Sequence, residues 1–545
     1  MTQNLAANAV RPAAVANRYV QPFAGQDIRS LLLEQAARRD AHPCLVWCPF
    51  DAPVQRWTYR QFCTRIERVA AGLHARGVRA GDRVLVHLDN CPESIFSWLG
   101  CAWLGAIAVT TNARSSAAEV SYFAEHAGAV AGITQPAFAE MVAAACPGLR
   151  WLAVTRTDNG RDAGSNTPAA ADCFDALDAD PASLPARPFD SSASFSVQYT
   201  SGTTSRPKGV LWTHANALWG ARINALHQDL RPDDVHHIVL PLFHTNAQAY
   251  SLLAALWVGA TSVVQPRFSA SRFWPVAIEH GCTWASIVGF CANALANQEV
   301  PGNHVFRQWG SGVNAPPTDA VLGVRTMGWW GMTETITHGI VGLPGRDNRP
   351  LSIGRPAPEY EIRITEEGRL CEPGQTGELA IRGVRGLSLF AEYLNNPQAT
   401  ADAFDEHGYF LTGDRVRIAE DGTLFFADRS KDMLKVGGEN VAASEVEAVI
   451  QKVADVVEVA VVGARDPMLD EVPVAFIRLR DGFAGDPAAV LEQVRAACKH
   501  ALADFKQPRS VRLVEDFPRA TLEKIAKAKL RAQLEAEADD ATRQR

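Results

Sequence analysis

The sequence predicts an α/β protein: a large multi-subdomain N-terminal domain, built of parallel α/β sheets plus a small β-rich subdomain, followed by a small α+β C-terminal domain. Three observations carry that expectation. Short Val/Ile/Leu runs alternate with amphipathic stretches through the first two-thirds of the chain, the signature of βαβ units. From Gly368 the pattern changes to short strands divided by the turn sequences Glu372-Pro373-Gly374 and Glu420-Asp421-Gly422. After Arg429 a charged stretch, Ser430-Lys431-Asp432, precedes a new order of helices and strands that runs to about Leu534.

Taken along the chain, residues 1–25 are Ala-rich, with two arginines and no acid, and lack an amphipathic repeat, so they are expected to be a disordered tail. Residues 26–430 form the expected N-terminal domain and 431–545 the C-terminal domain. Arg83–His87 reads as a strand, Glu93–Leu104 as a helix and Ala106–Thr110 as the next strand. Asp158–Ser192, rich in Asp, Ala, Pro, Ser and Gly, reads as a surface connection that ends at a strand over Phe195–Tyr199. In the last domain, helices are expected over Ser444–Val453 and Ala488–Leu502, with strands over Val457–Val462 and Val472–Leu479.

A chain of 545 residues is too long for one ordinary core. The net charge of −7 argues against an extended nucleic-acid surface, which would need a basic face. The longest apolar run, Leu252–Val264, is too short to span a bilayer and reads as a buried helix entering a strand. Eleven cysteines without a Cys/His cluster at zinc spacing suggest reduced thiols in a cytoplasmic enzyme. Monomer and homodimer both stay open.

The strongest local signal is Tyr199-Thr200-Ser201-Gly202-Thr203-Thr204-Ser205-Arg206-Pro207-Lys208-Gly209, placed between a strand and a helix expected near His214. Hydroxyls, glycines and a lysine can surround a polyphosphate with donors and a cation, glycine letting backbone amides approach the oxygens. A solvated Ser/Thr loop is the bland alternative, but this order arises by chance on the order of one window in a billion at average residue usage. Pro207 stands where a Walker A loop needs Gly before its Lys. Gly310-x-Gly312-x-x-Ala315 is followed by Pro316-Pro317, which would stop the helix that a dinucleotide fingerprint opens.

With this loop, four further blocks resemble the adenylate-forming superfamily of acyl-CoA synthetases, aryl-CoA ligases, adenylation domains and luciferases. They are Trp330-Gly331-Met332-Thr333-Glu334-Thr335, Tyr409-Phe410-Leu411-Thr412-Gly413-Asp414, Asp428-Arg429-Ser430-Lys431-Asp432 through Gly437-Gly438-Glu439-Asn440, and Pro518-Arg519-Ala520-Thr521-Leu522-Glu523-Lys524-Ile525. The resemblance covers about residues 25 to 535. It implies an AMP-forming acid–CoA ligase: a carboxylate and ATP give an acyl-adenylate and pyrophosphate, and CoA then takes the acyl group and releases AMP. ATP, Mg²⁺ and CoA are the implied cofactors, and a small-molecule carboxylic acid the implied partner.

The same resemblance implies roles. Lys524 is the lysine of the adenylation step, its ammonium set between carboxylate and α-phosphate. Glu523 precedes it where the family usually has Gly. Glu334 binds Mg²⁺, Thr333 donates to the α-phosphate, Asp414 accepts from the ribose and Arg429 adds a ribose or phosphate contact. Trp330 holds the place of an adenine-stacking aromatic, with Gly331 beside it, and Gly310-Ser311-Gly312 resembles the adenine-binding segment. Thr200, Ser201, Gly202, Thr203, Thr204 and Lys208 line the phosphates. Lys431 is the hinge about which a mobile C-terminal domain turns, bringing Lys435, Gly437 and Gly438 to a pantetheine tunnel.

For the acid, the resemblance places His244, Asn246, Gly289, Phe290, Trp309 and His338 in the substrate pocket. His244 stands in Pro241-Leu242-Phe243-His244-Thr245-Asn246 where amino-acid-activating relatives carry Asp, which disfavours an α-amino acid. It reads as an acyl-pocket or gating residue, or as a buried structural histidine. His87-Leu88-Asp89-Asn90-Cys91-Pro92-Glu93, Asn112-Ala113-Arg114 and Ser205 are similar to bacterial carnitine/crotonobetaine–CoA ligases. Trp212, Trp309 and Trp329 would then be candidates for an aromatic cage around a quaternary ammonium, against the plainer reading of core or hydrophobic lining. A carrier-protein thiol is the alternative acceptor.

Lys431→Pro is expected to keep ATP–pyrophosphate exchange yet lose thioester formation. Lys524→Ala is expected to lose the exchange. Equal loss of both half-reactions in Lys431→Pro would count against the hinge.

Overall fold

The computed structural model describes residues 20–158, 160–162, 171–200, 207–429, 433–480, 482–518 and 525–543. They separate into two compact units. One contains the chain up to Ala113, Phe123–Tyr199 and Gly209–Asp428; the other contains Arg114–Tyr122, the 200–208 segment and the chain from Arg429.

The first unit is built on two large sheets and a smaller one. In the nine-stranded sheet, Pro43–Trp47, Thr261–Val264, Val235–Ile238, Trp284–Ser286, Gln308–Ser311 and Thr326–Trp330 run parallel. In the eight-stranded sheet the parallel set is Asp172–Cys173, Leu152–Val154, Ala129–Thr134, Arg83–His87, Ile107–Thr110 and Ser194–Thr200. Parallel strands are covered by helices on both faces, so they read as unbroken apolar runs: Ile107–Thr110 and Thr261–Val264 are buried at every position. The five-stranded sheet over Glu361–Glu366, Arg369–Leu370, Thr376–Arg382, Phe410–Ile418 and Leu424–Arg429 has the antiparallel pairing expected of the turn-rich region.

The sequence boundaries hold to within a few residues. The helix over Pro92–Leu104 is buried at nearly every position, and His214–His227 starts on Thr213, whose hydroxyl accepts from the Asn216 amide. The run Leu252–Val264 is a buried helix entering a strand, as expected, its helix starting earlier as a π-helix over Asn246–Leu253 that passes into α-helix Ala254–Val258 before the strand Thr261–Val264. Two segments differ. The described end of the expected disordered tail is packed, because Phe23 is an apolar side chain buried edge-on to Trp257. The connection after Asp158 is not wholly superficial: Phe174 and Leu177 are buried, because two apolar side chains in a polar segment find the helix Tyr59–Ala75.

The second unit carries an antiparallel sheet of Glu439–Ala442, Met433–Val436, Asp470–Leu479 and Val456–Asp466, extended by Ser510–Leu513 in parallel with Asp470–Leu479. Helices Ala443–Ile450 and Pro487–Ala501 cover one apolar cluster, which includes Val446, Val461, Ile477 and Val494. All eleven cysteines are unpaired thiols, most of them buried, and burial pushes the Cys48 thiol up to about 12. Among the described residues no helix is long and apolar enough to cross a membrane.

One buried ion cluster lies in the second unit. Lys506 Nζ donates to Glu119 Oε1 at 2.5 Å and to Glu445 Oε1 at 2.8 Å, with every side chain at most 8% exposed. Burial pushes the Glu445 carboxyl above its ordinary range although Lys506 pulls it down. Removing the ammonium strands two carboxylates in low dielectric, so Lys506→Met is expected to destabilise this unit by about 3–5 kcal/mol. A carboxyl whose folded pKa is raised is favoured by acid, so the deficit is expected to shrink from about pH 8 to about pH 5 as Glu445 takes a proton. Urea unfolding at the two pH values measures it.

Candidate active site

The loop that follows Thr326–Trp330 leaves the C-terminal end of a parallel strand, the edge at which open α/β sheets bind ligands. It turns at Gly331, where a Cβ would come within 2.4 Å of Tyr250 Oη and 2.7 Å of the Thr337 carbonyl. The Met332 amide donates to the Thr335 hydroxyl at 3.0 Å, and the Thr335 amide returns to the Met332 carbonyl at 3.1 Å. Three other segments hold what lies between, around Trp212, Thr245 and Phe390–Tyr393. Trp212 Nε1 donates to the Thr333 carbonyl at 2.9 Å, and the Phe390 amide to the Glu334 carbonyl at 2.8 Å. Thr245 Oγ1 lies 3.2 Å from Thr333 Oγ1, and Tyr393 Oη donates to Glu334 Oε1 at 2.9 Å. Glu334 is 4% exposed and Thr333 half-buried. Burial, reinforced by the neighbouring Glu334 charge, pushes the Tyr393 phenol well above its ordinary range, so it remains a donor.

Asp414 reaches the same loop from the five-stranded sheet. The pairing of Thr376–Arg382 with Phe410–Ile418 is regular on either side but shifts between Glu378 and Ala380, opposite Thr412-Gly413-Asp414. Thr412 Oγ1 donates to the Leu379 carbonyl at 2.7 Å and accepts from the Asp414 amide at 3.1 Å. Such a bulge re-aims a side chain. Here it directs Asp414 to Trp330, whose Nε1 donates to Asp414 Oδ2 at 2.8 Å with both residues buried. The structure therefore brings together Trp330, Thr333, Glu334 and Asp414, four of the residues singled out from the sequence.

Gly310 and Ser311 end the neighbouring strand, and Gly312 follows it. A Cβ on Gly310 would sit 1.6 Å from the Trp329 indole, so only glycine fits, whereas Gly312 faces open space. His244 is half-buried against Phe243, with ring centroids 4.4 Å apart. Asn246 opens the π-helix, and its Oδ1 accepts from Ser286 Oγ at 2.6 Å. Gly289 begins a helix on the surface, and Phe290 meets Phe268 edge-on at 5.7 Å. A narrow, largely apolar cavity lies beside Phe243, bounded by Val86, Leu88, Trp98, Leu242 and the polar groups of Thr110 and Gln248.

Two expected pocket residues lie elsewhere. Trp309 is fully buried among Phe273, Trp274 and Phe306, because its side of the strand faces an aromatic core. His338 is fully buried, stacked on Trp329 at 4.1 Å and 4.3 Å from Tyr250, and burial holds it neutral. The tryptophans considered for a cage are packed separately: Trp212 on the Thr333 carbonyl, Trp309 in the core and Trp329 on His338.

Within the second unit, Gly437 and Gly438 have φ of 58° and 88°, forming the two-residue turn between Met433–Val436 and Glu439–Ala442, a backbone that favours glycine. The Lys435 amide donates to Glu471 Oε2 at 2.8 Å. Thr200 ends one strand and Lys208 begins the next. Ser201, Gly202, Thr203, Thr204, Lys431 and Lys524 lie outside the described residues, as does the side chain of Arg429.

Sequence reasoning missed Tyr393, Gln198 and Gln248, and singled out Trp212 for a different role from the one its contact with Thr333 gives it. Tyr393 is 59 residues from Glu334, and no local pattern links them. Thr245 was within reach, being next to His244 in a stretch already singled out.

Residues 32–394 match the family model described as AMP-binding enzyme, and residues 445–524 the AMP-binding enzyme C-terminal domain. The chain is 34% identical over 523 residues to a crotonobetaine/carnitine–CoA ligase of Escherichia coli O7:K1, covering 93% of this chain and 99% of that one. Its fold is similar to a double mutant of o-succinylbenzoate CoA synthetase from Bacillus subtilis, with a TM-score of 0.78 and 26% identity, covering 92% of this chain and 98% of the other. It is also similar to a Mycobacterium tuberculosis fatty acyl CoA synthetase, with a TM-score of 0.65, 28% identity and coverage of 94% and 99%.

Trp330→Phe removes the donor to a buried carboxylate and leaves a smaller ring in its place. It is expected to cost about 1–3 kcal/mol of stability, read from the urea midpoint.

Proposed function

The chain belongs to the AMP-binding enzyme family, and from that premise we propose that it is an ATP-dependent acid–CoA ligase working in two half-reactions on one site. The observation that supports this reading best is the loop Gly331–Glu334, held by three other segments beside the Trp330–Asp414 pair.

The first half-reaction joins two anions, a carboxylate and the α-phosphate of ATP, so the site must supply cations and fixed donors between them. Thr333, anchored through its carbonyl and beside Thr245, presents its hydroxyl to the α-phosphate. Asp414, with one oxygen held by Trp330, accepts from the ribose with the other. Glu334 offers a hard oxygen ligand suited to Mg²⁺, with Tyr393 fixing the carboxylate's orientation. That ion, when bound, neutralises phosphate charge. Lys524 places its ammonium between the reactants, and rotation about Lys431 then withdraws it and brings the Gly437-Gly438 turn to the thiol path.

The first reading of the acid is an aliphatic, aromatic or polycyclic carboxylic acid. A betaine-type acid is the second reading, favoured by the 34% identity to a crotonobetaine/carnitine–CoA ligase. Cation recognition by Trp212, Trp309 and Trp329 together has no support in their packing. The enzyme acts in the cytoplasm on a small-molecule carboxylic acid, as a monomer or homodimer.

Pyrophosphate release measured over aliphatic, aromatic and quaternary-ammonium acids, with mass detection of the acyl-CoA, tests the proposal. Acid-dependent pyrophosphate and a CoA thioester are expected. AMP transfer with acyl loading only onto a phosphopantetheinyl protein would overturn the CoA assignment. Glu334→Gln is expected to raise the Mg²⁺ requirement for half-maximal exchange by about 10–100-fold.

A further inference from the structure

Behind Thr333 a hydrogen-bonded chain runs into the first unit. Thr245 Oγ1 lies 3.2 Å from Thr333 Oγ1 and 3.0 Å from Gln198 Oε1. The Gln198 amide nitrogen donates to Gln248 Oε1, and Gln248 Nε2 reaches Thr110 Oγ1 at 3.3 Å. Thr110, Gln198, Thr245 and Gln248 are at most 6% exposed. They come from the ends of strands Ile107–Thr110 and Ser194–Thr200, from the turn after Pro241, and from the π-helix Asn246–Leu253. Two buried amides cost desolvation that apolar side chains of the same volume would avoid, and π-helical turns occur often at functional sites.

The chain has a direction. Thr245 owns one hydroxyl proton and has two neighbouring acceptors, Gln198 Oε1 and Thr333 Oγ1. With the amides as assigned, Thr245 gives that proton to Gln198, and the contact with Thr333 is made only if Thr333 donates to Thr245. With both amides turned by 180°, Thr110 donates to Gln248, Gln248 to Gln198, Gln198 to Thr245 and Thr245 to Thr333. Every contact is kept, because amide nitrogen and oxygen exchange places. Only this second direction holds the Thr333 oxygen as an acceptor while leaving its own proton for a phosphate.

We propose that Gln198 and Gln248 are positioning residues for adenylation, setting through Thr245 the direction in which the Thr333 hydroxyl donates. This rests on the reading of Thr333 as a donor to the α-phosphate. Gln198 acts through Thr245, and Gln248 acts through Gln198.

The test is a double-mutant cycle in ATP–pyrophosphate exchange, with each purified variant checked for cooperative thermal unfolding. Thr333→Ala is expected to lower the exchange kcat about 100-fold. Gln198→Met and Thr245→Val are each expected to lower it about 10-fold, with the KM for acid within about twofold, and Thr245→Ser to restore it. Adding Thr333→Ala to either is expected to cost nothing beyond Thr333→Ala alone, since the chain acts only through that hydroxyl. Multiplied losses in the double variants, or unchanged exchange in Gln198→Met, would overturn the proposal and leave the donor role of Thr333 standing. Unchanged exchange in Thr333→Ala would remove that role, and this inference with it. Should Gln198→Met fail to fold, Thr245→Val decides, since it removes one hydroxyl at nearly constant volume.

Discussion

Keeping two carboxylates, Glu334 and Asp414, inside the protein is the constraint on which the site depends. A buried anion is costly unless donors meet it. Tyr393 gives an O–H to one and Trp330 an N–H to the other, and both donors are themselves buried. These contacts tie a loop from the nine-stranded sheet to the five-stranded sheet and to the segment around Phe390–Tyr393. The geometry of one short loop is thus determined by elements far apart in the chain.

The sheets explain why those elements meet. Parallel strands place their C-terminal ends on one edge, and the loops after Thr326–Trp330, Gln308–Ser311 and Val235–Ile238 all leave that edge of the nine-stranded sheet. The antiparallel sheet contributes through a bulge, which turns Asp414 out of the ordinary alternation. The π-helix does the same for Asn246 and Gln248, whose polar ends are drawn into hydrogen bonds within an otherwise apolar interior.

Much of this was legible along the chain. Apolar runs such as Ile107–Thr110 announce parallel strands because both faces are buried, and the helix expected near His214 starts there. Blocks such as Trp330–Thr335 and Tyr409–Asp414 could be read as local strings because their function depends on tight turns and a bulge, which constrain neighbouring residues together. The aromatic residues were harder. A tryptophan in sequence does not reveal which side of its strand faces the core, and Trp309 and Trp329, twenty residues apart on neighbouring strands, found different partners.

By itself, the sequence determined the α/β class, the family and the residue types at the centre of the site, since periodicity and short motifs are properties of adjacent residues. Only the tertiary structure decided what each of those residues touches: Tyr393 on Glu334, Trp330 on Asp414, Trp212 and Thr245 on Thr333, and two glutamines behind them. Hydrogen bonds across tens or hundreds of residues follow from how the sheets stack, and no window of sequence contains both partners.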